Sequence, residues 1–205
     1  MTDLLLRNDI LAFSSRDFAR MSSLSVSAAS HRLLRLARKG QIRALTRGLW
    51  VKHLHPHFTP MSCVPFLLRS DPGYVSFLSA LHRHGLVSQI PARIQIATTG
   101  HHRTLRTEVG VFEYFQVHPR MSRGGVEWSS GMSPYRLATP EKALLDTLYL
   151  STRKNRRFSS LPELDLSPSN FRHSVFQRIL REQVPFPKIQ TAIRTRLLGL
   201  GIRLR

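Results

Sequence analysis

Three observations predict an α+β protein built from two domains. Residues 1–52 carry helical periods with capping residues, then a hairpin pattern. Residues 61–150 mix helical periods with strand alternation, and residues 151–205 return to helix. At 205 residues and 41% apolar side chains, the chain has enough material to bury a core. The stretch 53–60, with Pro56 and Pro60, reads as a linker between domains 1–52 and 61–205.

Charge narrows the partner. Lys and Arg number 31 against 12 Asp and Glu, a net charge of +19, which implies an anionic partner. Nucleic acid comes first and an acidic membrane surface second. Arg outnumbers Lys, which suits forked contacts to phosphates and guanine edges. The excess sits at the two ends: residues 1–60 hold 10 basic and 3 acidic groups, and residues 151–205 hold 12 and 3. No apolar run approaches the roughly 18 residues of a membrane span. The start of the chain lacks a basic-then-apolar signal pattern. Cys63 is the only cysteine, so neither an intrachain disulfide nor a cysteine-based zinc site is expected. The expected setting is the reducing cytoplasm, with no cofactor and no membrane partner.

Each N-terminal element has a local cause. Leu4, Leu5, Leu6, Ile10 and Leu11 form an apolar face at helical spacing. Ser14 and Asp17 have the spacing of a capping box, and Phe13 and Phe18 the spacing of a hydrophobic staple across it. That short helix stops near Ser22 and Ser23. Ser25 caps the next helix, which runs to about Lys39, with Gly40 suited to the left-handed residue that ends it. Two helices joined by a tight turn form a helix-turn-helix layout.

At about 100° per residue, Val26, Ala29, Leu33 and Leu36 fall on one side of the second helix. Ser27, His31, Arg35 and Arg38 fall on the other, with Ala28 beside them and Ser30 and Arg32 on the flanks. The outward face is small near its start and basic toward its end, as a helix entering the major groove requires. Gln41 to Val51 then reads as two strands turning at Thr46, Arg47 and Gly48. A basic hairpin directly after such a helix makes a winged helix-turn-helix. Arg35, Arg43 and Arg47 are placed to anchor phosphates, and Ser27, Ala28 and His31 lie nearest the bases. With Ser30, Arg32 and Arg38 they form the candidate DNA-contacting set.

In residues 61–150, Asp71 to Gly73 reads as a turn or helix start, and Tyr74 to His84 as a helix with Phe77, Leu78 and Leu81 inward, stopped by Gly85. Ile94 and Ile96 mark a strand, and Val109 to Val117 a longer one. Thr139 caps a helix with Pro140 in its first position, Glu141 at its dipole, and Ala143, Leu144, Thr147, Leu148 and Leu150 inward. The C-terminal part is helical and basic. Phe171, Val175, Phe176, Ile179 and Leu180 make one stripe, and Ile189, Ala192, Ile193 and Leu197 another. Arg153, Lys154, Arg156 and Arg157 form a basic cluster before them.

Glu141, Lys142 and Asp146 invite a nuclease reading, because carboxylates and a lysine can surround a metal. A structural reading fits the spacing better: Glu141 complements a helix N-terminus, and Lys142 pairs with Asp146 one turn on. No catalytic or metal-binding residue is therefore expected. His53, His55 and His57 would share a strand face, but Pro56 interrupts it. His82 and His84 point to different sides of their helix, and His101 and His102 read as loop. Cys63 reads as a small buried hydrophobe.

Several blocks resemble one family: Phe13 to Arg20, Leu24 to Ile42, Thr46 to Val51, Tyr74 to Leu86 with Gln89 to Pro91, and Ala138 to Leu150. The stretches Ser79 to His82 and Thr139 to Asp146 are the most telling. The sequence resembles the AbiEi family, the antitoxins of bacterial type IV toxin–antitoxin systems. The resemblance implies a DNA-binding autorepressor that occupies inverted repeats in its own promoter. It also implies a mixed α/β antitoxin domain, with a helical C-terminus, that counteracts a nucleotidyltransferase-like toxin without a stable complex. His31 stands where the family prefers Arg, and Gln41 where it prefers Leu. Inverted repeats admit a dimer or two cooperating monomers, so the oligomeric state stays open. Two alternatives are a DNA-directed, metal-dependent nuclease-like enzyme and a winged-helix repressor unconnected to any toxin.

Overall fold

The computed structural model describes residues 5, 7–68, 71–153, 157–167, 169 and 171–202. The chain is α+β, with seven α-helices and two sheets among the described residues. Two compact units divide it. Met1–Arg69, Leu105–Val111 and Ser129–Tyr135 form the first, and Ser70–Thr104, Phe112–Trp128 and Arg136–Arg205 the second.

The first unit begins with β1 (Ala12–Ser14) and α1 (Ser15–Met21). Ser14 caps α1 through the capping box its spacing predicts: its Oγ accepts the Asp17 N–H at 3.1 Å, and the Asp17 carboxylate accepts the Ser14 N–H at 3.1 Å. Phe13 and Phe18 close the staple with ring centroids 6.1 Å apart. Ser23 turns the chain at φ 52°. Ser25 caps α2 (Val26–Arg38), and Gly40 ends it at φ 69°. β2 (Arg43–Thr46) and β3 (Leu49–Val51) form a hairpin, and β1 pairs with the other edge of β3, giving the order β1-β3-β2. β1 is an addition to the expected elements, since three residues are too few to show alternation. Phe13, Phe18, Ala29, Leu33, Ile42 and Trp50 form the core, with Leu5, Ile10 and Leu36 packed against it. Leu4 and Leu6 lie outside the described residues.

Two expectations need correction here. Val26 is not inward: it is 52% exposed, because the first turn of α2 projects beyond the core. The stretch 53–60 is not a loose linker, because it folds back on the N-terminal segment. Lys52 is buried and its ammonium donates to the carbonyls of Leu5 and Arg7. His55 is buried too, with Nε2 2.9 Å from the Asn8 carbonyl. The unit continues through a 3-10 turn at Pro60–Cys63 into α3 (Val64–Leu68).

The larger sheet contains β4 (Gly73–Val75), β5 (Ile94–Thr98), β6 (Arg103–Thr107), β7 (Gly110–Gln116), β8 (Val126–Trp128) and β9 (Arg136–Ala138). Its order is β6-β7-β5-β4-β9-β8. β5/β7 and β4/β9 are parallel, and β4/β5 and β8/β9 antiparallel. β6, β8 and β9 carry no legible period. His101 and His102 lie in a loop, as expected, and β6 begins directly after them.

Tyr74 to Ser76 is not helical. Gly73–Val75 is a strand, and α4 (Phe77–Arg83) starts three residues later than its apolar spacing suggests. Phe77 sits at φ 55°, a conformation costly for a non-glycine residue. Its ring is held edge-on to Phe115 at 5.0 Å and stacked on Phe158 at 5.4 Å.

α5 (Pro140–Ser151) has the predicted Thr139 cap, but it is buried all round from Glu141 to Ser151 rather than along one stripe. It packs against α4, β9, α6 (His173–Gln183) and α7 (Pro187–Gly199). Of the first C-terminal stripe Phe171, Phe176, Ile179 and Leu180 are buried and Val175 is half-buried, whereas Ala192 on α7 is exposed. No helix among the described residues is long and apolar enough to cross a membrane.

Candidate nucleic-acid interface

The face of α2 starts from its cap. Ser25 Oγ accepts the Ala28 N–H at 3.2 Å, which satisfies one of the free N–H groups of the first turn. Ser27, Ala28, His31, Arg35 and Arg38 are exposed, as the helical arithmetic places them. Ser30 and Arg32 are half-buried flanks. The Ser30 hydroxyl donates to the Val26 carbonyl at 2.8 Å, so its proton is used within the helix and only its lone pairs face outward. Arg32, Arg35 and Arg38 form no ion pair with any described residue, whereas Arg20 on α1 is held by Asp17 at 3.0 Å. No acid occupies the first turn of α2. The face is therefore a cationic surface without internal neutralisation, suited to phosphates.

The hairpin is anchored to α1. Gly48 lies at φ 75°, and its carbonyl accepts the Ser15 N–H at 2.9 Å. The buried Trp50 donates from Nε1 to Ser15 Oγ at 2.9 Å. Arg47 thus stands exposed on a tip fixed at its base, without an ion-pair partner among the described residues. Arg43 differs. Its guanidinium donates to the Glu108 carbonyl at 3.4 Å, and the neighbouring Ala44 N–H donates to Glu108 Oε2 at 3.0 Å. Arg43 is exposed, but unlike Arg47 it has Glu108 for a neighbour. A residue 65 positions away supplies that carboxylate, which no local pattern reveals.

The residue-by-residue reading missed three exposed positions on α1 and α2. Leu34, at 48% exposure, puts an apolar side chain among the cations of α2, and Val26, at 52%, is exposed on the opposite side of the first turn. Leu34 lies about 60° from His31 on a helical wheel, so its place was legible. Arg16, in the first turn of α1, is exposed and unpaired among the described residues.

The acidic residues that invite catalysis lie elsewhere. Lys142 and Asp146 are fully buried and 2.5 Å apart. The Ser76 and Tyr74 hydroxyls donate to Asp146 Oδ2 at 2.8 and 3.0 Å, and the Lys142 ammonium also donates to the Met121 carbonyl. Burial pushes the Asp146 carboxyl above its ordinary value, against the pull of Lys142 and the two hydroxyls. It pushes the Tyr74 phenol well up as well, with the Asp146 charge adding to the effect. Glu141 is buried, and its Oε1 accepts the backbone N–H and the Nε–H of Arg172 at 3.0 and 3.1 Å. Burial acts to raise the Glu141 carboxyl, but hydrogen bonds from backbone N–H groups and Arg172 prevail and hold it below its ordinary value.

Histidines are similarly engaged. His55 Nε2 faces the Asn8 carbonyl, and its Nδ1 accepts the His57 N–H. His82 and His84 each contact a backbone carbonyl, of Val87 and Ala138. Among the described residues no three His, Cys, Asp or Glu side chains gather to hold a metal. Cys63 is buried, and burial pushes its thiol up to about 12.

Of the basic cluster before α6, Lys154 and Arg156 lie outside the described residues. Arg153 donates to the Gln116 carbonyl at 3.4 Å, and Arg157 to Glu113 at 3.2 Å. Part of the C-terminal charge therefore serves internal contacts. No protein-family model matches this sequence, and no curated protein matches it.

Proposed function

We propose that the chain is a transcriptional regulator that binds duplex DNA through an N-terminal winged helix-turn-helix. The observation that carries this reading is the unneutralised face of α2, with Arg35 and Arg38 exposed, beside a hairpin whose tip carries Arg47. In this reading α2 enters the major groove by its N-terminal turns, where Ser27, Ala28 and His31 approach the bases. Arg35 and Arg47 bind phosphates, with Arg32 and Arg38 adding charge. The test is a gel-shift titration on the inverted repeat upstream of the gene. Arg35→Ala with Arg47→Ala weakens binding and lowers the slope of log affinity against log salt by about one unit per lost phosphate contact. Unchanged affinity and slope would refute the assigned face.

We further propose that this regulator is a cytoplasmic antitoxin, autorepressing its own promoter and opposing a nucleotidyltransferase-like toxin. Support comes from the resemblance of Ser79 to His82 and Thr139 to Asp146 to the AbiEi antitoxins. Co-expression with a neighbouring nucleotidyltransferase gene tests it. Restored growth supports the role; continued arrest with folded, DNA-binding protein leaves a repressor unconnected to a toxin. The nuclease alternative is disfavoured by a specific observation: Lys142 and Asp146 are fully buried against each other, and Glu141 is engaged by Arg172.

A further inference from the structure

The second unit contains a half-open cavity of about 240 Å³. Leu78 from α4, Val87, Pro91, Ala92 and Pro162 give it apolar walls, and Gln89 and Arg93 line it too. Two polar side chains on neighbouring strands also line it, Gln95 on β5 and Glu113 on β7. They are register partners in the parallel pair, so both lie on the same face of the sheet.

The two groups are oriented by what they already bind. Gln95 is 8% exposed, and its Oε1 accepts the Leu78 N–H at 2.9 Å. That fixes the amide and leaves its NH2 as a donor with no partner among the described residues. Glu113 is 7% exposed, and its Oε1 takes both Arg157 at 3.2 Å and Arg93 at 3.5 Å. Its Oε2 has no partner among the described residues. Both residues are largely buried, yet these two atoms keep access to the cavity, so the carboxylate oxygen can accept and the amide can donate to a ligand there. Between the apolar walls, and beside Gln89 and Arg93, they form a small polar reading edge.

We propose that this cavity binds a flat heterocycle presenting a hydrogen-bond donor beside an acceptor, the edge a nucleobase offers. The ring's N–H donates to Glu113 Oε2, and the adjacent acceptor takes the Gln95 amide. The proline and aliphatic walls cover the two ring faces. The volume lies below the roughly 300–1,000 Å³ of pockets for drug-sized ligands, so a single ring system is the fitting occupant. A purely apolar ring would match neither polar group.

The test uses full-length protein titrated with adenosine, guanosine, cytidine and uridine, read by calorimetry and saturation-transfer NMR. At least one nucleoside binds saturably, and its analogue methylated on the donor nitrogen binds at least tenfold more weakly. Glu113→Gln lowers the affinity by a similar factor. Ala92→Trp, an exposed position on the cavity rim, abolishes binding by filling the space and keeps the thermal midpoint near that of the wild type. Arg35→Ala with Arg47→Ala leaves nucleoside binding unchanged, which separates this site from the DNA surface. A short single strand of the same base, run in competition, distinguishes a free nucleoside from a base carried on a strand. Absence of saturable binding at millimolar nucleoside overturns the proposal. So does binding that survives Ala92→Trp, or indole binding as tightly as the nucleosides.

Discussion

The Lys142 ammonium donates to Asp146 Oδ1 at 2.5 Å, with both side chains shielded from solvent. The spacing of one helical turn announces the pair, but the same spacing on a surface helix is worth only a few tenths of a kcal/mol. In the interior, removing one partner strands a charge. Lys142→Met is expected to destabilise the protein by about 3–5 kcal/mol. Lys142→Met with Asp146→Leu should recover much of that loss, because no charge then remains buried. Chemical denaturation of the single and double variants checks this. A double variant as unstable as the single would show that volume, not charge, governs the site.

Arg43 and Arg47 share one hairpin but not one environment. Glu108 sits against Arg43, while Arg47 has no such neighbour among the described residues. Arg47→Ala should therefore reduce DNA affinity more than Arg43→Ala does, and the salt slope should fall more for the former. Glu108→Gln should raise affinity by relieving Arg43. Filter-binding curves at three salt concentrations compare the variants; a larger loss from Arg43→Ala would overturn the ranking.

Glu141 sets an acid dependence. Its folded carboxyl is held below the ordinary value of 4.5, so it contributes stability at pH above 4.5 that is lost as pH falls through the folded value. Asp146, raised by burial, acts with the opposite sign: protonation at low pH relieves its desolvation. Glu141→Gln should thus lower the thermal midpoint at pH 7 and flatten its decline toward pH 3. Melting curves across that range decide the matter, and parallel declines in both proteins would remove Glu141 as the cause.

Cys63 should be inert. Its thiol is buried and pushed up to about 12, so almost no thiolate forms at pH 8. Ellman's reagent is expected to leave the native protein unmodified and to titrate one thiol in denaturant. Rapid modification of the native form would contradict the burial.

The N-terminal elements were legible because their causes are local. Ser14 and Asp17 lie three residues apart, Ser25 caps the helix it precedes, and Gly40 and Gly48 take the positive φ their turns require. The small-then-basic face of α2 follows from residue spacing alone. Val26 escaped that arithmetic, since a helical wheel gives direction but not how far the core extends along the axis. The stretch after Lys52 escaped it as well, because a carbonyl of Asn8 accounts for His55.

In the second unit the local signal weakens. Strands β8 and β9 are three residues long, too short for a period. β7 is buried on both faces, so its alternation marks no inside. The sequence by itself determined the caps, the turns, the charged helix face and the one-turn spacing of Lys142 and Asp146. Only the tertiary structure decided that this pair is interior, that Glu108 faces Arg43, and that Gln95 and Glu113 share a cavity. The physical reason is one of range: capping and helical periodicity act within a few residues, whereas desolvation and strand register depend on segments brought together from far along the chain.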